Sequence, residues 1–335
     1  MPANLNDLAK RLNVSVATVS RALNDKPGVG SEMRQKVLAL ADELGFVPNM
    51  TARSLVTART QTVGFVIRPF DQPLTADPFY FPMLMAIEEE LISHDYHILL
   101  NSINEESVST LRMVEQSRVD GLILTGPNLN AQFVTLICNS GFPVVLIDNK
   151  PEHSKANTIL TDDTGGAAEA TAHLISHGHT RIAHIGGPAE WVSNRMRFNG
   201  YQAAMREAGL QDYCQVVRKP ATTVATGEEA AAELLRGPNP PTAIFAVNDS
   251  MAVGAARAAA ALGLSIPEDL ALVGFDNIPV AEHFMPPLTT VRIYKEQMGK
   301  MAARRILEVI NDPGGAPVET IVSTELIIRN SCGCS

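Results

Sequence analysis

Three polar residues stand where parallel sheets present ligand contacts. Asp148, Asn248 and Asp276 each close an apolar run of strand type, the runs being Val144 to Asp148, Ala243 to Asn248 and Leu270 to Phe275. In open α/β sheets ligands sit beyond the carboxyl ends of the strands. After a further run, Arg181 to Gly186, come Trp191 and the stretch Ser193-Asn194-Arg195-Met196-Arg197. Asp, Asn and Arg pair with two neighbouring hydroxyls at once, and an aromatic face suits the C–H side of a sugar ring. Trp191, the chain's single tryptophan, offers one such wall. Phe79, with Tyr80, follows the loop from Pro69 to Pro78 and offers a second. Each has an ordinary alternative: an aspartate that caps the next helix, a core tryptophan, a phenylalanine that staples a loop.

A different chemistry is written into the first sixty residues. Asn4 is placed to cap a helix from Leu5 to Leu12, whose Leu5, Leu8, Ala9 and Leu12 form one stripe. Asn13 and Val14 make a turn, and Ser15 caps a second helix, Val16 to Asn24. Ser31 is expected to cap a third, ending at Leu44 with Gly45 as its stop. Two short helices joined by a tight turn and closed by a third follow the helix-turn-helix plan, in which the second helix enters the major groove of DNA. On that helix Arg21 can fork onto guanine O6 and N7. Val16 and Ala17 suit a thymine methyl, and Ser15, Thr18 and Ser20 suit phosphates. A three-helix bundle with another partner is the alternative.

Charge supports the division. The chain of 335 residues carries a formal net charge of −9, yet its first sixty hold eight bases against five acids. A small basic unit on a large acidic body fits a DNA-binding head on a regulatory domain. With 45% apolar residues and a mean hydropathy of +0.04 the chain can bury a large core. Four cysteines make no disulfide framework, no run is long enough for a transmembrane helix, and Asn6, Asp7, Lys10 and Arg11 interrupt any leader. A cytoplasmic protein is expected.

Enzyme signatures are missing. There is no phosphate-cradling G-x-x-x-x-G-K-[ST], no H-E-x-x-H and no G-x-G-x-x-G after a strand. His177 and His179 flank Gly178 as a helix end. Cys332-Gly333-Cys334 is a lone C-x-C and reads as part of a disordered tail, 331–335. No catalytic, cofactor or metal residues are assigned.

Between residues 61 and 330, apolar strands such as Val63 to Ile67, His97 to Asn101 and Gly121 to Thr125 alternate with helices, one opening at Pro82. Two such series imply two doubly wound parallel-sheet lobes with a cleft between them.

Leu5 to Lys10 and Val14 to Asn24, with Gly45-Phe46-Val47-Pro48-Asn49 and Ala52-Arg53-Ser54-Leu55, closely resemble the headpiece of the lactose/galactose repressor family. Val119 to Ile123, Asn194 to Tyr201, Phe245 to Asp249, Val273 to Asn277 and Pro287 to Val291 carry the resemblance through the body. It implies an α/β protein with three parts. Residues 1–48 form a helix-turn-helix headpiece and 49–60 a hinge helix and linker, while 61–330 form a two-lobed effector and dimerisation domain like the periplasmic binding proteins. Asn49, Ala52 and Arg53 join the DNA-contacting set, and Leu55 matches the residue that wedges into the minor groove. Arg197, Asn248 and Asp276 match positions that bind effector hydroxyls in sugar-responsive members. Thr222 stands where some relatives have an aromatic that stacks on the ligand, which argues against a purine-type sandwich. The expected function is a homodimeric repressor of carbohydrate-utilisation genes. It binds a near-palindromic double-stranded operator and is released by a sugar, with no membrane partner. The alternatives are a family regulator with a non-sugar effector or corepressor, an activator, or a sugar-binding transport component.

Overall fold

The side chain of Asn4 accepts hydrogen bonds from the amides of Asn6 (2.9 Å) and Asp7 (3.2 Å), and Asp7 returns one from the Asn4 amide at 2.9 Å. This reciprocal cap starts α1 (Leu5–Leu12), which Asn13 ends in the left-handed conformation, φ 51°. Ser15 Oγ accepts from the Thr18 amide at 3.1 Å and opens α2 (Val16–Leu23). The third helix, α3 (Ser31–Glu43), departs from expectation at its start. Gly30 is the extended cap residue and Ser31 already lies in the first turn, so no side chain caps it. Leu8, Ala9, Val19, Ala22, Val37 and Ala41 form the core of the three helices.

The computed structural model describes residues 4–23, 25–46, 59–68, 73–102, 108–126, 129, 131–150 and 156–334. It divides into two units, Met1–Thr60 and Gln61–Ser335. The hinge residues Asn49, Ala52, Arg53 and Leu55 lie outside the described residues.

The larger unit holds two six-stranded sheets. The first contains β1 (Thr62–Ile67), β2 (His97–Ser102), β3 (Gly121–Thr125), β4 (Val144–Ile147), β5 (Asn157–Thr161) and β11 (Glu319–Val322), all parallel, in the order β11-β5-β4-β3-β1-β2. The second contains β6 (Ile182–Gly186), β7 (Gln215–Arg218), β8 (Ala243–Ala246), β9 (Ala271–Asp276), β10 (Thr289–Arg292) and β12 (Glu325–Ile327), in the matching order β12-β10-β9-β8-β6-β7. Only β12 is antiparallel, against β10. Strands β5, β7, β10 and β11 are short and mixed in polarity and escaped the sequence reading.

The period of two along each strand sorts side chains to two covered faces. Val63, Phe65 and Ile67 join one core while Val66 joins another. The first core packs beneath α4 (Tyr80–Ile92), α7 (Asp163–Ser176), α8 (Val192–Glu207) and α12 (Lys295–Asn311). The other face of the first sheet meets α5 (Val108–Glu115) and α6 (Ala131–Asn139). That of the second meets α9 (Val224–Leu235), α10 (Asp249–Ala261) and the short α11 (Val280–His283). Helices α9 and α10 touch backbone to backbone: a Cβ on Gly254 would lie 2.1 Å from the Val224 carbonyl oxygen.

The chain crosses between lobes three times, from β5 into α7, from β10 into α12 and from β11 into β12. The first and third crossings are joined, since Asp162 donates its amide to Val322 O at 2.9 Å.

The expected disordered tail is corrected. Ser331 and Cys332 are buried. Ser331 accepts the Leu272 amide at 2.8 Å on its carbonyl and the Thr289 amide at 2.8 Å on its hydroxyl, so the segment is fastened to the starts of β9 and β10 in the second lobe. Among the described residues no helix is long and apolar enough to cross a membrane.

Candidate effector cleft and DNA-reading helix

On α2 the apolar Val19 and Ala22 turn inward, which leaves Val16, Ala17 and Arg21 exposed and Thr18 and Ser20 half-buried. Val16 is 40% exposed. The Ser15 and Thr18 hydroxyls lie 2.9 Å apart and share one proton between them, so one O–H remains to point outward. The helix thus offers a cation, two small apolar side chains and a hydroxyl on one face.

In the larger unit, Phe79, Asp148, Trp191, Arg197, Asn248 and Asp276 line one cleft of about 280 Å³. That is near the small end of ligand sites. Every lining segment follows a strand's carboxyl end. Asp77 to Tyr80 follow β1 and Asp148 follows β4, from the first lobe; the remainder follow β6, β7, β8 and β9 of the second. Tyr80, Ser193 and Asn194, noted in the sequence beside these residues, line it as well, and so do Asp77, Thr223, Ser250 and Ile278, which were not singled out from sequence. Thr222, noted for lacking an aromatic ring, is in the lining too.

Arg197 is the electrostatic centre. It is 5% exposed, projects from α8 and donates Nε–H to Asp163 Oδ1 at 2.7 Å and Nη1–H to the Val247 carbonyl at 2.6 Å. The same Nη1 lies 3.0 Å from Asp276 Oδ1, and the guanidinium lies 3.9 Å above the Phe275 ring. Burial alone would lower its pKa, but the carboxylates of Asp276, Asp163 and Asp148 more than offset that and hold it above the ordinary arginine value. Asp163 was missed in the sequence. It is the first residue of α7, and only its pairing with a residue of the next helix reveals its role.

The carboxylates are held out of water with fewer cations than acids. Burial pushes Asp148 up to about 8, with the Asp163 charge adding and Arg197 opposing. Burial raises Asp163 to about 6 against the pull of Arg197, and raises Asp276 against Arg197 and Lys295. Behind them Asp249 is raised to about 8 by burial and then by Asp276. It is fully enclosed, accepting the Ile278 amide at 2.8 Å and the Thr290 hydroxyl, and it shapes the loop after β9. Asp148 and Asp276 both adopt positive φ, 52° and 103°, conformations that cost a non-glycine residue energy and recur at functional sites.

Asn248 combines both readings of a strand-end polar residue. Its Oδ1 caps α10 by accepting the Met251 amide at 2.9 Å, and its Nδ2 donates to Thr222 O at 3.1 Å. One amide hydrogen and one lone pair remain for the cleft. Trp191 is 5% exposed at the start of α8, with its surface in the cleft lining. Phe79 packs edge-on against Tyr80, centroids 4.9 Å apart, in a loop fastened by Asp77, which accepts both their amides.

A helix-turn-helix unit preceding two parallel-sheet lobes that enclose a polar cleft defines a ligand-responsive DNA-binding regulator. The profile of bacterial regulatory proteins of the lacI family matches residues 4–49, and that of the periplasmic binding protein-like domain matches residues 171–332. The probable repressor ExuR of Bacillus subtilis is 31% identical, covering 98% of this chain and 97% of its own. The regulator CelR of Thermobifida fusca is 33% identical over 98% and 97%. The repressor PurR of Vibrio vulnificus is 31% identical over 98% of each. Among solved structures, a CelR–cellobiose complex superposes with a TM-score of 0.73 at 31% identity, covering 98% of this chain and 99% of that one. A lac repressor dimer bound to operator and the anti-inducer ONPF shares the fold, with a TM-score of 0.84 at 24% identity over 99% of each chain. The chain belongs to the LacI family of transcription regulators, which bind DNA and are not enzymes.

Proposed function

We propose that this regulator is a homodimeric repressor of carbohydrate-utilisation genes, released from a near-palindromic operator when a sugar enters the cleft. One observation carries the reading: acids, amides, a buried arginine and three aromatic residues from both lobes converge on one small cleft. Carboxylates and amides that accept and donate in pairs match vicinal hydroxyls, and Trp191 and Phe79 match the C–H faces of a ring. The threonine at position 222 weighs against an aromatic sandwich on a purine.

The transmission follows from the crossings. Asp163 begins the helix after the first crossing and Lys295 the helix after the second. Arg197 holds the former and the Asp276 carbonyl accepts from the latter. A ligand that draws on Arg197 or Asp276 therefore acts directly on the lobe connections. It shifts the lobe arrangement only by its differential affinity, typically about 1–3 kcal/mol. In this reading the change reaches the paired hinges, where Asn49, Ala52 and Arg53 contact DNA and Leu55 wedges the central step. Dimerisation is supported by Met85 and Ile92, seven residues apart on one face of α4 and 47% and 50% exposed.

A gel-shift titration of the full chain on operator DNA, with mono- and disaccharides, uronates and purines added in turn, tests the proposal. Release by a sugar is the expected result. Tightening by any ligand, or release by a purine alone, would overturn it.

A further inference from the structure

Two sequence features set aside as a helix end and a lone C-x-C meet in the fold. His173 and His177 stand one turn apart at the end of α7, ring centroids 4.5 Å from each other. Cys334 Sγ lies 3.0 Å from His177 Nε2 and 3.4 Å from His173 Nε2. The ligand atoms of these three residues all fall within 4.8 Å of one another. Cys332 Sγ adds a fourth donor, 3.2 Å from Cys334 Sγ and 3.3 Å from His173 Nε2. We propose that His173, His177, Cys332 and Cys334 form a tetrahedral binding site for a zinc-class divalent cation, a role independent of the effector cleft.

The donor set, two sulfurs and two imidazole nitrogens, is that of structural zinc sites. With metal–ligand bonds of about 2.0–2.3 Å, tetrahedral donors stand roughly 3.3–3.8 Å apart. The observed Cys–His and Cys–Cys separations, 3.0 to 3.4 Å, lie at or just below the short end of that range. Two thiolates and two neutral imidazoles balance a divalent charge, and binding releases one proton from each thiol. The histidine tautomer is already set. His177 Nδ1 lies 2.8 Å from the His173 carbonyl, which can only accept, so Nδ1 carries the hydrogen and Nε2 turns its lone pair to Cys334. The negative end of α7 adds a favourable field for a cation.

Local backbone supports the grouping. Gly333 has φ +88°, which lets the two cysteines turn toward the same side, and a Cβ there would meet nothing closer than Pro267 at 4.0 Å. Cys332 is fixed from beneath by the Thr289 hydroxyl, which donates to its sulfur at 3.1 Å. A bound cation would fasten this segment to α7, whose opposite end carries Asp163.

The test uses the full chain, purified without a histidine tag under reductant and stripped with EDTA, then titrated with Co²⁺. The expected result is one Co²⁺ per chain with thiolate-to-cobalt charge transfer and tetrahedral visible bands, displaced by Zn²⁺. Cys334→Ser and His177→Asn should each weaken Co²⁺ binding more than about tenfold, the loss that even an outer-shell partner causes. His94→Asn should leave it unchanged. Weak octahedral binding without charge transfer, loss of two thiols to a disulfide with no metal held, or an unchanged spectrum in Cys334→Ser would each overturn the site. The spectrum of the unsubstituted chain decides the matter if a variant fails to fold.

Discussion

Arg197 and Asp163 form a buried ion pair, 2.7 Å from Nε to Oδ1, that ties the cleft to the first residue after the chain passes from one lobe to the other. Both side chains are about 5% exposed. The pair is expensive to desolvate and is retained with a backbone carbonyl and a second carboxylate around the guanidinium, so its partners depend on it.

Arg197→Ala should therefore destabilise the larger unit by about 3–5 kcal/mol, because the acids stay buried without their counter-charge. Urea unfolding measures this. The deficit should shrink toward acidic pH, where Asp163 and Asp276 take up protons. A variant as stable as its parent at pH 8 would show that the carboxylates do not rely on this guanidinium.

Asp148 provides a pH signature. Its folded pKa of about 8 lies above the unfolded value of about 3.9, so the folded state holds the extra proton between them. Its contribution to stability is complete below about pH 4 and is lost as pH rises through 8. Asp148→Asn should be more stable than its parent at pH 8 by about 1 kcal/mol or more, with the difference fading toward pH 4. Thermal melts across that range, without sugar, check it; parallel melting curves would refute it.

For the headpiece, Arg21→Ala should weaken specific operator binding by about 1–3 kcal/mol and leave nonspecific binding nearly intact. Equal losses on operator and random duplex, measured by anisotropy at one salt concentration, would place Arg21 on phosphate instead.

Gly254→Ala probes packing rather than chemistry. The added methyl would press on the Val224 carbonyl and the Glu228 amide, 2.1 and 2.5 Å away, and neither can swing aside. Overpacking of this kind costs about 1–3 kcal/mol. A neutral result in chemical denaturation would mean that α9 and α10 separate readily.

Much of this was legible in the residues. The headpiece helices follow from periodic Leu5, Leu8 and Leu12 and from caps at Asn4 and Ser15, because local physics decides short helices. The central strands β1, β3, β4, β6, β8 and β9 announce themselves as apolar runs, since both faces are covered. The strand-end rule brought six side chains to one cleft. What escaped depends on distance along the chain. Asp163 is uninformative until Arg197 stands beside it, and the C-x-C reads as loose chain until His173, 159 residues before Cys332, stands against it. Ser31 failed as a cap because a flexible glycine took the extended position first.

The route of the backbone also bears on biosynthesis. Edge strand β11, residues 319–322, pairs with β5, residues 157–161, so the first lobe gains its last strand only after the whole second sheet but β12 has been synthesised. Such long-range pairing slows folding. A ribosome-bound chain would carry an unfinished sheet edge for nearly half of its elongation, whereas the headpiece, a separate unit within the first sixty residues, can fold before either lobe is made.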